Sequence, residues 1–153
     1  MKLAEALAER AEAQRRYAQL RERLRLVARV QEGEEPGEDP AALLAEAEHL
    51  LERITWLVRR INATNMATPF DKEHTLTDAI ALRDEAKERR TLYADLAKAA
   101  STRQDRYSRS EIRYVASVNV AEMRALMDTA AKEYRQWDTG IQQVNWSTDL
   151  IEN

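Results

Sequence analysis

Apolar residues recur along most of this chain at alternating steps of four and three, the spacing that keeps side chains on one face of an α-helix. Between Lys2 and Gln31, the residues Ala6, Ala13, Tyr17, Leu20, Leu24 and Val27 form such a stripe, which Leu3 and Leu7 extend at its start. A second stripe runs through Leu43, Ala47, Leu50, Ile54, Leu57 and Ile61. Leu44, Leu51 and Val58 widen it enough for burial against more than one neighbour. The third, through Ala79, Leu82, Ala86, Tyr93, Leu96 and Ala100, is weaker because Arg89 interrupts it. The last follows Met123, Met127, Ala130, Tyr134, Trp137, Ile141, Val144, Thr148 and Ile151, and passes Gly140.

Punctuation between the stripes sets the helix ends. GEEPGEDP at 33–40 breaks the first helix, and Asp39 before Pro40 is a good N-cap followed by proline where its missing amide hydrogen costs nothing. Thr75 with Asp78 and Asn119 with Glu122 repeat the three-residue spacing of a capping box. These signals predict helices over 2–31, 40–62, 76–100 and 120–151, an acidic linker at 33–39, a loop at 63–75, and a polar loop and strand at 101–118. The strand rests on Ile112, Tyr114, Ala116 and Val118, which alternate with Arg113, Val115, Ser117 and Asn119. A lone strand needs a pairing partner, either the stretch 67–70 or the same strand of another subunit. The expectation is a mainly α fold of long antiparallel helices, a four-helix arrangement of coiled-coil-like hairpins with one short β element near 112–118, in a single domain spanning 1–153. Helices of roughly 30 residues reach roughly 45 Å, which implies an elongated molecule or one that completes its packing in an oligomer.

Composition narrows function mostly by exclusion. With no Cys there is no disulfide framework, no Cys-ligated metal and no Cys nucleophile. His49 and His74 have no second His at ligand spacing, so neither a metal site nor a bound cofactor is expected. No paired nucleophile and base and no Gly-rich phosphate loop is found, which points away from an enzyme. The net charge of −3 is too balanced to mark a polyanion binder, although the first helix is basic and 19 of the 24 basic residues are Arg. Many carboxylates stand four positions before an Arg, as Glu12 before Arg16 and Glu85 before Arg89, the spacing of ordinary helix-surface ion pairs. The opening MKLAEALAERAEAQRR has no apolar run of signal-peptide length, and no stretch is apolar over the span of a bilayer, so a cytoplasmic protein without membrane partners is expected.

Two groups of residues stand out from that background. Trp56 lies about 200° around its helix from Ile54, and Trp146 as far from Val144, in line with Leu150. Large aromatics off the buried stripe suit a second packing surface, so Trp56, Trp146 and Leu150 are candidates for a self-association interface. The loop carrying Arg103, Asp105, Arg106, Tyr107, Arg109 and Ser110 mixes guanidinium forks with carboxylate and hydroxyl groups. If a ligand site exists, it is expected where this loop meets Asn62, Asn65 and Asp84, and its ligand would be a phosphate compound or nucleic acid. The preferred function is a non-enzymatic structural or interaction protein assembling as a homo-oligomer. Nucleic-acid or phosphate binding through the basic first helix and the Arg-rich loop 103–113 is the alternative.

The strings VQEGEEPGEDPAALL at 30–44, INATN at 61–65, TLTDAIALRD at 75–84, RQDRYSRSEIRYV at 103–115 and NWSTDL at 145–150 together resemble a bacterial, actinobacterial-type family of small helical proteins of unknown function. The resemblance covers essentially the whole chain, and some members of the family carry the name septicolysin. That name implies a pore-forming toxin, whereas these residues provide neither an export signal nor a membrane-competent element. The resemblance otherwise implies a helical fold and no particular activity.

Overall fold

The computed structural model describes residues 1–101 and 112–153, and its regular structure is four long helices, α1 (Leu3–Val27), α2 (Pro40–Ala67), α3 (Leu76–Ala100) and α4 (Val120–Ser147). The chain thus adopts the mainly α fold that the stripes imply. It divides into two compact units, Met1–Pro69 with Gln143–Asn153, and Phe70–Gln142, and α4 contributes to both.

The caps stand where their side chains can accept a backbone hydrogen. Asp39 accepts from Ala41 N at 3.0 Å, Thr75 Oγ1 accepts from Asp78 N at 3.2 Å, and Asn119 accepts from Glu122 N at 3.0 Å. Each satisfies one of the amide hydrogens a helix start leaves unpaired, a contribution of about 1 kcal/mol.

In the first unit, α1 and α2 run antiparallel. Glu9 pairs with Arg53, Arg16 with Glu46, and Arg23 with Glu38 along their length. Between them Leu20, Leu43 and Ala47 form a buried cluster, with Tyr17, Leu24, Val27 and Leu50 packed against it. Helix α1 ends at Val27 rather than near Gln31. Leu43, the first leucine of α2, already packs with Leu20, and residues 28–30, past Val27, are exposed. Gly33 then takes φ 86°, a conformation only glycine adopts without strain.

Helix α2 extends five residues past its expected end at Asn62, to Ala67. Pro69 stops it, because the residue before a proline is pushed out of the helical region, and Thr68 is extended. At its far end α4 stops at Ser147 instead of reaching Ile151. Residues 148–150 straighten against the start of the chain: Leu3 N donates to Thr148 O at 2.9 Å, Leu150 N donates to Met1 O at 2.8 Å, and Lys2 and Asp149 form an antiparallel bridge.

In the second unit, α3 and α4 also run antiparallel, with the Arg83 guanidinium 3.1 Å from Asp138. The inner face of α3 is built largely of small residues, Ala79, Ala86 and Ala97, with Leu76 at its start. Gly140 has a structural reason in this unit: a Cβ there would lie 2.7 Å from Phe70 Cζ. The expected strand at 112–118 does not form. Residues 112–116 carry no regular structure and 117–118 bend into α4, so what bridging the described residues contain is confined to single positions. The alternation is genuine, but a strand exists only as part of a ladder, and residues 112–118 take no strand conformation. Tyr114–Val118 instead border a shallow groove of about 330 Å³ with Leu96, Ala99 and Ala100 of α3.

Candidate functional site

Thr64 organises one end of the first unit. Its side chain is fully buried, its Oγ1 donates to Arg60 O at 2.8 Å, and the same oxygen accepts from Ile151 N at 3.0 Å. The start of α1, the end of α2 and the residues after α4 therefore meet here, because Leu150 N is bonded to Met1 O. The sequence held a signal for this position, since Leu57, Ile61 and Thr64 continue the four-three spacing of α2. A threonine does not read as core, which is why the stripe seemed to end at Ile61.

The three proposed interface residues fall in different environments at or near this end. Leu150 is buried within the chain and is not available to a partner. Trp56 is half-buried beneath arginines of its own helix, with the Arg53 guanidinium 4.4 Å and that of Arg60 6.0 Å from its ring centroid. Such stacking is favourable by roughly 0.5–1 kcal/mol at exposed sites. Arg53 is itself held by Glu9, whose Oε1 lies 2.6 Å from Nε, and this hydrogen bond keeps the Glu9 carboxyl below its ordinary pKa. Trp146, by contrast, is 64% exposed. Met66 and Ile151, at the same end, are also exposed.

Of the proposed ligand site, Arg103, Asp105, Arg106 and Arg109 lie outside the described residues. Asn62 is exposed and Asn65 half-buried on the last turns of α2. Asp84 is exposed on α3 and pairs with its neighbour Arg83 at 3.1 Å. Arg83 bridges Asp84 and Asp138, an arrangement that serves the α3–α4 pairing and that nothing in the sequence marks, because the partners are 55 positions apart. Among the described residues no group of three or more His, Cys, Asp or Glu side chains is placed to hold a metal ion.

One further cluster belongs to the second unit. Phe70 packs against Trp137 with ring centroids 5.5 Å apart, and His74 meets the same indole edge-on at 5.7 Å. Asp71 accepts from the Glu73 and His74 amides, each at 2.8 Å, and its other contact is His74 Nδ1 at 2.9 Å. The Asp71 hydrogen bond raises the His74 pKa, and the Glu73 and His74 contacts lower that of Asp71. A raised folded-state histidine pKa means that its stabilisation is complete below the unfolded value of about 6.5 and fades as pH rises through the folded value. We therefore expect the melting-temperature gap between wild type and His74→Gln to be widest near pH 6 and to narrow toward about pH 9. A gap independent of pH over that range would show that the ring acts only by packing on Trp137.

Four long helices in two compact units define a small, mainly α protein. Residues 10–150 match the profile of a family described as "Family of unknown function (DUF6847)", and the chain belongs to that family. It is similar along its whole length to a solved structure from Corynebacterium diphtheriae, described as a functionally unknown conserved protein, with 56% identity, 99% of each chain covered and a TM-score of 0.91. Comparison with curated proteins gives no match.

Proposed function

We propose that this protein is a non-enzymatic interaction module of the cytoplasm that assembles with copies of itself. Trp146 carries the reading. A tryptophan 64% exposed is a large apolar surface to leave in water, and it stands at the end of the first unit where Met66 and Ile151 are exposed as well. Aromatic residues and Met are enriched where protein surfaces meet, and a patch shared by identical chains closes most simply about a two-fold axis.

Light scattering during size-exclusion chromatography tests this directly. The wild type is expected to exceed the 17.6 kDa of one chain at micromolar concentration, and Trp146→Lys to lower that mass. Because the side chain is exposed, the substitution should change folding stability by no more than about 0.5 kcal/mol. A wild type that elutes as a monomer would end the proposal.

The alternative, anion binding through the first helix and the Arg-rich loop, finds less support in α1. Arg15, Arg16, Arg23 and Arg25 each meet a carboxylate there. The pore-forming role implied by the name septicolysin is not part of our reading, since no helix among the described residues is long and apolar enough to cross a membrane.

A further inference from the structure

Arg10 is half-buried on α1, and its Nε is enclosed with no hydrogen-bond acceptor among the described residues. Positions three and four away on its own helix are Ala6, Leu7, Ala13 and Gln14, and the nearby carboxylates are taken, Glu9 by Arg53 and Glu12 by Arg15. Arg60, whose Nε is also buried and unmatched, lies over the Trp56 ring, whereas no ring contact accounts for Arg10 among the described residues. The same unit buries a second polar group. Asn145 is 5% exposed, and its side chain makes no hydrogen bond among the described residues.

Backbone bonds at the chain start set the register between the two. Leu3 N donates to Thr148 O, Lys2 bridges Asp149 and Leu150 N donates to Met1 O, so the start of α1 and the end of α4 run antiparallel. Three residues inward from the Leu3–Thr148 bond, Asn145 stands level with Ala6. Helical side chains lean toward the N-terminus of their own helix. Asn145 therefore leans along α1 toward Arg10, and Arg10 leans back to the level of Ala6. Leu3 and Ala6 share the Arg10 face and are completely buried, so this is the covered face of α1.

We propose that Arg10 and Asn145 form a site for one small oxyanion, with Arg10 Nε and the Asn145 amide donating to its oxygens. The sign of the ligand follows from the donors. A guanidinium has five N–H groups and no acceptor, and the amide presents its own N–H groups beside it. A water satisfies such hydrogen bonds but leaves the charge unmatched, and an enclosed charge without a partner is costly. Phosphate and carboxylate groups meet both demands.

This site is independent of Trp146 and of self-assembly. Inorganic phosphate is the probe, compared with sodium chloride at equal ionic strength. It should raise the melting temperature of the wild-type chain more than that of Arg10→Met, which keeps an unbranched stem and removes the donors and the charge. Salt exclusion acts on both chains alike and cancels in the difference. Asn145→Asp puts a carboxylate where the oxyanion binds, so it should no longer respond to phosphate. Adding Arg10→Met to Asn145→Asp should then lower the melting temperature by about 2–4 °C more than Arg10→Met lowers that of the wild type.

A phosphate response that is equal in wild type and Arg10→Met, or absent from both, overturns the site, as does additivity of the two substitutions. If Arg10→Met does not fold, the wild type and Asn145→Asp decide: the phosphorus resonance of phosphate should broaden with the first and not with the second, and equal line widths overturn the proposal.

Discussion

Replacing Leu20 by Ala should destabilise the chain by about 2–5 kcal/mol, the range for removing a fully buried leucine from a packed core. Leu20 is completely buried, and its cluster with Leu43 and Ala47, flanked by Tyr17, Leu24, Val27 and Leu50, is the contact that holds α1 to α2 away from the end organised by Thr64. The cavity left by the substitution adds to the lost transfer free energy, since the surrounding side chains relax only partly into it; Arg16 pairs with Glu46 of α2, and Arg23 with Glu38 just before it, beside this cluster. These pairs are half-exposed and contribute little by themselves. Each kcal/mol corresponds to roughly 2–4 °C of melting temperature for a chain of this size. Leu26→Ala is the matched control, because Leu26 is 80% exposed, and it should move the midpoint by less than about 0.5 kcal/mol. Comparable losses for the two leucines in urea or thermal unfolding would show that the cluster is not what joins the helices.

The second large effect is expected at Thr64. Thr64→Val keeps the shape of the side chain and removes the oxygen that accepts from Ile151 N and donates to Arg60 O. A fully buried amide left without an acceptor costs about 1–3 kcal/mol, and the part-buried Ile151 amide should fall toward the lower end of that range. The loss should be local in its first consequence. Residues after Ser147 are held by Thr64, by the Leu3 and Leu150 backbone bonds and by the Lys2–Asp149 pair, so weakening one anchor loosens the others. We expect faster amide exchange at Ile151 and Leu150 and earlier proteolysis of the last residues, with Thr64→Ser restoring protection because its hydroxyl can make the same two bonds. Unchanged exchange at Ile151 in Thr64→Val would remove Thr64 from this role.

Helix existence was legible in the residues themselves wherever the signal was local. Four-three stripes, a capping side chain beside three of the helix starts, and Pro40 and Pro69 all act over a few positions, so Asp39, Thr75 and Asn119 mark the starts of α2, α3 and α4 without reference to the rest of the chain. The mainly α class followed directly. Periodicity also suggested a strand at 112–118, and here the same reasoning overreached, because alternation describes what a segment can do and a strand requires a second segment to bond with. The exact ends escaped for a related reason. Whether α1 stops at Val27 or α2 passes Asn62 depends on what lies opposite, Leu43 in the first case and Ile151 in the second.

The surfaces divide in the same way. Two tryptophans off the buried stripe could be seen in the sequence, as could Arg53 and Arg60 three and four positions from Trp56, but that Trp56 is half-buried while Trp146 stands in solvent shows only once the helices are packed. Leu150, apolar and in line with Trp146, reads as surface until the chain turns after Ser147 and bonds it to Met1. Nothing in the spacing of Arg83, Asp84 and Asp138 announces their pairing. By itself the sequence determined which segments are helical and where their caps stand, since propensity, capping and periodicity are properties of neighbours along the chain. Tertiary structure alone decided helix lengths and the burial of Thr64 and Leu150, since those depend on groups brought together across as many as 149 positions.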